Sequence, residues 1–254
     1  MKIFLLANNW VGLEIAKYLK KRKENIIALG IAPVKKQKYT KEIIKTVNLP
    51  KRLIFDGSTL RDPIVVNKIK ELAPDIIIGA FWVTILKPEI INIPPYGCIN
   101  FHPGYLPYNR GVNPNVWPIV EDTPAGVTLH YIDSKIDTGD IVARRIVEIN
   151  IYDTAETLYN RTLVEIVKLF KEQWPLIKEG GNAIIPQSKF HDKPTFHLAK
   201  DLEKLDKIDL DRTYTGRQLI NILRSRSYKD HFFSYYLDRG KKVFIRVELS
   251  DKNQ

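Results

Sequence analysis

The sequence predicts an α/β protein built on a Rossmann-like, doubly wound, mostly parallel sheet, with a small C-terminal helix-plus-hairpin subdomain. Three observations carry that expectation. Short, unbroken apolar runs recur at KIFLLA (2–7), NIIALGIA (25–32) and DIIIGA (75–80), the pattern of parallel strands buried on both faces. Segments with helical spacing of apolar residues separate these runs. The connections between them are short, as strand–helix alternation in one sheet requires. A chain of 254 residues with 44% hydrophobic content can bury a real core, which excludes disorder as the main state.

Each element follows in order. After the first strand, residues 10–23 carry Trp10, Leu13, Ile15, Ala16 and Leu19 near helical spacing. RLIFDG (52–57) reads as a strand ending in a turn. Ser58 is expected to cap a helix that buries Ile64, Val65, Ile69 and Leu72 and stops at Pro74. CINF (98–101) is a strand that enters a loop rich in proline and glycine, INFHPGYLPYNRGVNPNVW (99–117). A segment so punctuated is neither helix nor long strand but a rigid loop that displays polar side chains. AGVTLHYI (125–132) and DIVARRIVEI (140–149) are strands joined by the turn around Thr138-Gly139. Thr154 opens a long helix with Leu158, Leu163, Ile166, Val167 and Phe170 inward. EGGNAIIPQ (179–187) is the strongest punctuation in the chain. It divides a large first domain, 1–183, from a C-terminal subdomain, 184–254. That tail offers one amphipathic helix, 213–228, and a hairpin, 232–249, turning at Asp238-Arg239-Gly240. It is too short for a robust core of its own, so it is expected to dock on the first domain or on a second subunit.

Several function classes are excluded or weakened. No stretch approaches the ~18 apolar residues of a membrane span, and the N-terminus lacks a small-residue cleavage site. With one cysteine in the chain there is no disulfide framework, and a cytoplasmic location is expected. Strand one leads into ANNWVG rather than G-x-G-x-x-G, which argues against a dinucleotide cofactor. The five histidines (102, 130, 191, 197 and 231) lack metal-ligand spacing, so no metal is expected. Cys98 lies in a buried strand, where cysteine behaves as a small hydrophobe. The net charge is +11, and Lys17 to Arg52 holds twelve basic against two acidic residues. This run lacks aromatics interleaved at stacking spacing and reads as a solvated face, with phosphate attraction as its alternative; nucleic acid is not the favoured partner.

The remaining constellation is Asn100, His102 and an acidic residue of IDSKIDTGD (132–140). Residues two apart on a strand point to one face. A histidine moves protons near neutral pH, a carboxylate orients it, and an asparagine amide donates to a developing oxyanion. The set suits acyl transfer to an amine without a covalent enzyme intermediate. The chemistry alone equally fits a loop histidine satisfied structurally by an aspartate.

The stretch NFHPGYLPYNRG…NPNVWPI…AGVTLHYIDSKIDTGDIV, Asn100 to Val142, resembles the folate-dependent formyltransferase family. The resemblance implies a triad of Asn100 as oxyanion donor, His102 as proton-transfer group and Asp137 as the residue tuning His102. It implies 10-formyltetrahydrofolate as donor, lying against Thr84, Ile85 and Leu86 and against Asp133, Ser134, Lys135, Ile136 and Asp137. It also implies a cis Leu106–Pro107 bond. One departure stands at Gly104, where relatives usually carry serine. Among the branches, the loop His102–Trp117 and the tail Lys200–Val247 are most similar to sugar-nucleotide N-formyltransferases. That branch implies a dTDP-linked amino-dideoxy sugar as acceptor, a role in lipopolysaccharide or O-antigen synthesis, and a homodimer formed through the tail. Phe232, Phe233, Tyr235 and Tyr236 then face a second copy, or else dock on the chain's own first domain. A methionyl-tRNA formyltransferase-like enzyme and a non-catalytic folate- or nucleotide-binding protein are the alternatives.

Overall fold

The structure is a computed structural model, and it describes residues 1–190 and 193–250; His191 lies outside them. A seven-stranded sheet has the order β3-β2-β1-β4-β5-β7-β8. Its strands are β1 (Lys2–Ala7), β2 (Asn25–Ile31), β3 (Ile54–Asp56), β4 (Ile76–Ala80), β5 (Cys98–His102), β7 (Gly126–Tyr131) and β8 (Ile141–Ile146). The order reverses between β1 and β4, which makes the sheet doubly wound. β1 through β5 pair in parallel, and β5 pairs antiparallel with β7. β1 and β4 are buried almost throughout, as their unbroken apolar runs require.

Helices α1 (Asn9–Lys21), α2 (Thr40–Val47), α3 (Pro63–Leu72) and α4 (Pro88–Ile91) connect these strands. Gly12 lets α1 lie close on β1, because a Cβ there would sit 3.1 Å from Ala7. In the ANNW turn Asn9 adopts φ +53, and its Oδ1 accepts the Val11 N–H at 2.7 Å. The cap of α3 differs from expectation. Asp62, not Ser58, is the capping residue, its carboxylate accepting the Ile64 N–H at 2.8 Å. Ser58 instead donates to Asp56, from N–H at 2.7 Å and from Oγ at 2.6 Å. Aspartate outcompetes a serine four residues earlier because Pro63 pre-sets the first helical φ immediately after it. Helix α2, a short amphipathic segment inside the basic run, escaped the sequence reading. The twelve basic side chains of 17–52 are all exposed, whereas of the two acids Glu24 is buried.

The chain divides into two compact units. The first comprises Met1–His102, Thr128–Arg144 and Ile166–Lys189. The second comprises Pro103–Val127, Arg145–Glu165 and Phe190–Gln254. In the first, the later turns of α6 (Ala155–Glu179) seal the sheet. Phe170 meets Phe101 at a tilt with ring centroids 5.0 Å apart, and the Trp174 indole donates to Glu24 at 3.0 Å.

In the second unit, short strands β6 (Arg110–Gly111) and β9 (Phe196–His197) pair in parallel. Helix α5 (Trp117–Glu121) packs with α8 (Gly216–Ser225), and Val116, Trp117, Ala155 and Leu202 form a small core with α7 (Ala199–Asp206). The Leu106–Pro107 bond is cis, as the resemblance implies. β10 (Ser227–Tyr228) and β11 (His231–Phe232) form one small ladder. β12 (Tyr235–Asp238) and β13 (Lys241–Phe244) form the expected hairpin. Its turn residues Arg239 and Gly240 both take positive φ, +47 and +77, as a two-residue primed turn requires. Phe232, Leu237, Val243 and Phe244 are exposed. Among the described residues no helix is long and apolar enough to cross a membrane.

Candidate active site

Asn100 and His102 sit at the C-terminal end of β5, the edge at which parallel sheets present their ligand sites. The ladder pairs Asn100 with His130 and His102 with Thr128, so strand geometry alone puts Asn100, His102 and His130 on one face of the sheet. Asp137 comes from the loop between β7 and β8 and holds φ +54. Its Oδ2 lies 3.5 Å from Nδ1 of His102, and its Oδ1 lies 3.5 Å from Nε2 of His130. The structure therefore brings the three expected side chains together, and one carboxylate spans two imidazoles. Both rings are almost fully buried, His102 at 4% exposure and His130 at 2%, which strengthens every charge interaction between them.

His130 was not singled out by the sequence reading. Its Nδ1 lies 2.8 Å from the Tyr131 carbonyl oxygen, an acceptor only, so Nδ1 carries the proton. Nε2 lies 3.2 Å from Asn100 Nδ2 and 3.5 Å from Asp137 Oδ1; in the uncharged tautomer it accepts from the Asn100 amide, an assignment that sets the orientation of that amide. Asn100 Oδ1 faces β4, 3.4 Å from where a Cβ on Gly79 would stand. A second hydrogen on Nδ2 remains for an oxyanion. The signal that could have found His130 was alternation. In GVTLHY, Thr128 and His130 share one face while Val127 and Leu129 share the other, but only the register with β5 reveals what His130 meets.

The loops expected to hold folate have a common root. Leu86 is buried in the same apolar cluster that Ile132 packs against. Beyond that root Thr84 is half-buried, while Ile85 (66%) and Ile136 (45%) project apolar side chains into solvent. Ser134 and Lys135 are exposed. Asp133 braces its own loop, accepting Thr138 Oγ1 at 2.7 Å and the Lys135 N–H at 3.0 Å. The exposed isoleucine on each loop offers apolar surface of the kind an aromatic ligand covers. Cys98 lies beneath this edge with its thiol pushed up to about 12 by burial, so no thiolate nucleophile is available near neutral pH. Among the described residues no group of three or more His, Cys, Asp or Glu side chains is placed to hold a metal ion.

Comparison with known proteins meets this geometry. The formyl transferase family model matches residues 14–173, a span that contains the whole constellation. The chain belongs to the formyl transferase family. A second model, the N-formyltransferase dimerization C-terminal domain, matches residues 201–251. A methionyl-tRNA formyltransferase of Alkaliphilus oremlandii is 35% identical over 210 residues, covering 82% of this chain and 64% of its own length. A dTDP-4-amino-4,6-dideoxyglucose formyltransferase of Mycobacterium tuberculosis is 35% identical over 154 residues, 60% of this chain and 64% of that one. The chain thus spans just under two thirds of these curated relatives. Among solved structures, a 4-N formyltransferase from Francisella tularensis superposes with TM-score 0.82 at 26% identity, covering 98% of each chain. A formyltransferase from Anoxybacillus kamchatkensis, solved with UDP-4,6-dideoxy-4-formamido-L-AltNAc and tetrahydrofolate, is 34% identical with TM-score 0.55, over 80% of this chain and 89% of that one.

Proposed function

We propose that this formyltransferase-family chain moves a formyl group from 10-formyltetrahydrofolate to the amine of a nucleotide-linked amino-dideoxy sugar, with dTDP as the nucleotide. The observation that carries the reading is the convergence of Asn100, His102 and Asp137 on one buried sheet edge. The curated dTDP-amino-sugar formyltransferase relative and the like-sized 4-N formyltransferase neighbour, matched along 98% of both chains, support the sugar branch, and the C-terminal dimerization match supports a homodimer. The reading places the enzyme in the cytoplasm, in the supply of formamido sugars for lipopolysaccharide or O-antigen.

The residues divide the work. Asn100 Nδ2, held by His130, donates to the carbonyl oxygen as the acceptor nitrogen bonds to the formyl carbon. His102 takes the proton from that nitrogen and returns it to the departing folate nitrogen as the old C–N bond breaks. Asp137 orients His102 and stabilises its charged form. Ile85 and Ile136 clasp the donor's ring system, and Thr84, Leu86 and 133–137 shape its slot.

One observation favours a second reading. The similarity to methionyl-tRNA formyltransferase spans 210 residues, and the twelve basic residues of 17–52 are exposed. The test is a panel of dTDP- and UDP-linked 3- and 4-amino sugars and initiator methionyl-tRNA, each assayed with 10-formyltetrahydrofolate by mass of the product. Formylation of a dTDP-amino sugar is expected. Formylation of methionyl-tRNA alone, weakening by about 0.7–0.9 log units per phosphate contact for each tenfold rise in salt, would replace it.

A further inference from the structure

We propose that Gln187 is a positioning residue for formyl transfer, holding the Asp137 carboxylate against the two histidines through the main chain of the turn. The inference rests on the reading of Asp137 given above.

Asp137 is a poor residue for its own backbone. A non-glycine side chain at φ +54 persists only where its surroundings over-determine it. The surroundings here are specific. Gln187 is buried, and its Nε2 donates to the Asp137 carbonyl at 2.9 Å and to the Gly139 carbonyl at 2.8 Å. One amide group thus pins the carbonyls on both sides of Thr138 with its two hydrogens. On the far side of the turn, Gly139 is pressed so close to the Tyr131 carbonyl oxygen that a Cβ would lie 1.9 Å from it. The turn is clamped between β7 and Gln187.

Gln187 is itself anchored. Ile185 and Ile141 exchange both backbone hydrogen bonds, at 2.8 and 2.9 Å, which ties the segment following α6 to the start of β8. Lys189 N–H then bonds the Pro186 carbonyl at 3.0 Å, fixing the short turn on which Gln187 sits. The glutamine therefore reads the position of β8 and transmits it to Asp137. Without its two donors, two carbonyls lose these hydrogen bonds and Asp137 is released toward negative φ. That rotates its Cα–Cβ bond and withdraws the carboxylate from His102 and His130. His102 from β5 and His130 from β7 face the Asp137 carboxylate, and Asp133 and Asp140 lie in the same loop.

The test compares wild type with Gln187→Met, which keeps the length but has no donor, and with Gln187→Glu, which keeps the shape but presents acceptors. The first readout is the titration of ¹³C-labelled His102 by NMR. Its midpoint is expected to fall by about 0.5 unit or more in both variants, as the stabilising carboxylate withdraws. The second is steady-state kinetics. A roughly 10-fold loss in kcat with both KM values nearly unchanged is expected, the size of an effect exerted through a neighbour. In an Asp137→Asn background the same substitution should add almost nothing. An unmoved His102 midpoint, with only a lower Tm, would overturn the proposal and leave Gln187 a structural brace. Should Gln187→Met fail to fold, Gln187→Glu carries the same readouts. If wild type shows no formyl transfer, the functional reading fails while the NMR arm still decides what Gln187 does.

Discussion

β5 and the 133–140 turn deliver residues to the same few cubic ångströms by opposite means. On β5, the ladder does the placing. Asn100 and His102 take their bearings from the strand, which alternates and pairs with β4 and β7. In the turn, side chains do the placing. Asp137 sits at a left-handed φ, Thr138 and Lys135 bond Asp133, and Gln187 closes the back. In the proposed reaction the proton-transfer group and oxyanion donor thus stand on the stiff member, and the residue that tunes them stands on the adjustable one. Substitutions at Asn100 and His102 should change chemistry without changing stability, whereas those in the turn should change both.

The largest effect is expected at His102. His102→Asn should lower kcat by at least ~100-fold while the thermal midpoint stays close to wild type; a variant with full turnover would take His102 out of the reaction. Asn100→Ala should raise the barrier by about 2–4 kcal/mol, read as kcat under saturating substrates. If only the folate KM changed, Asn100 would be an anchor and not an oxyanion donor. Next comes the turn itself. Gly139→Ala drives a Cβ into the Tyr131 carbonyl and should cost about 1–3 kcal/mol in denaturant unfolding together with a loss of kcat. Unchanged stability would mean that the turn is looser than its contacts indicate. The smallest effect lies at the start of the strand. Cys98→Ala should keep full activity and lose only about 1 kcal/mol, the order of a buried small-group deletion. Inactivation of that variant would revive the thiol as a reactive group.

The same contrast explains what was legible in the sequence. Apolar runs such as IFLL and DIIIGA declare strands buried on both faces, and alternation declares that Asn100 and His102 share a face. The primed turn at Arg239-Gly240 is equally local. What escaped was set by partners far along the chain. His130 gains its meaning only from a register with β5, and Gln187 lies fifty residues from the carbonyl it holds. The helix α2 was hidden because its apolar positions, Ile43 and Val47, sit within a run of lysines. At α3 two capping candidates competed, and the fixed φ of Pro63 decided between them. The division at 183/184 rested on punctuation alone. The compact units of the fold are interleaved, with the tail packed on residues 103–127 and 145–165. The dimerising role of 184–254 remains our proposal, supported by the exposed Phe232 and Phe244.

The account turns on three side chains meeting one carbonyl. Its most direct test is a crystal structure with 5-formyltetrahydrofolate and a dTDP-linked 4-amino sugar bound together. We expect the formyl oxygen about 2.7–3.1 Å from Asn100 Nδ2, and the sugar amine within hydrogen-bond reach of His102 with Asp137 behind it. A formyl group bound away from β5, or an amine that reaches neither His102 nor Asn100, would contradict it.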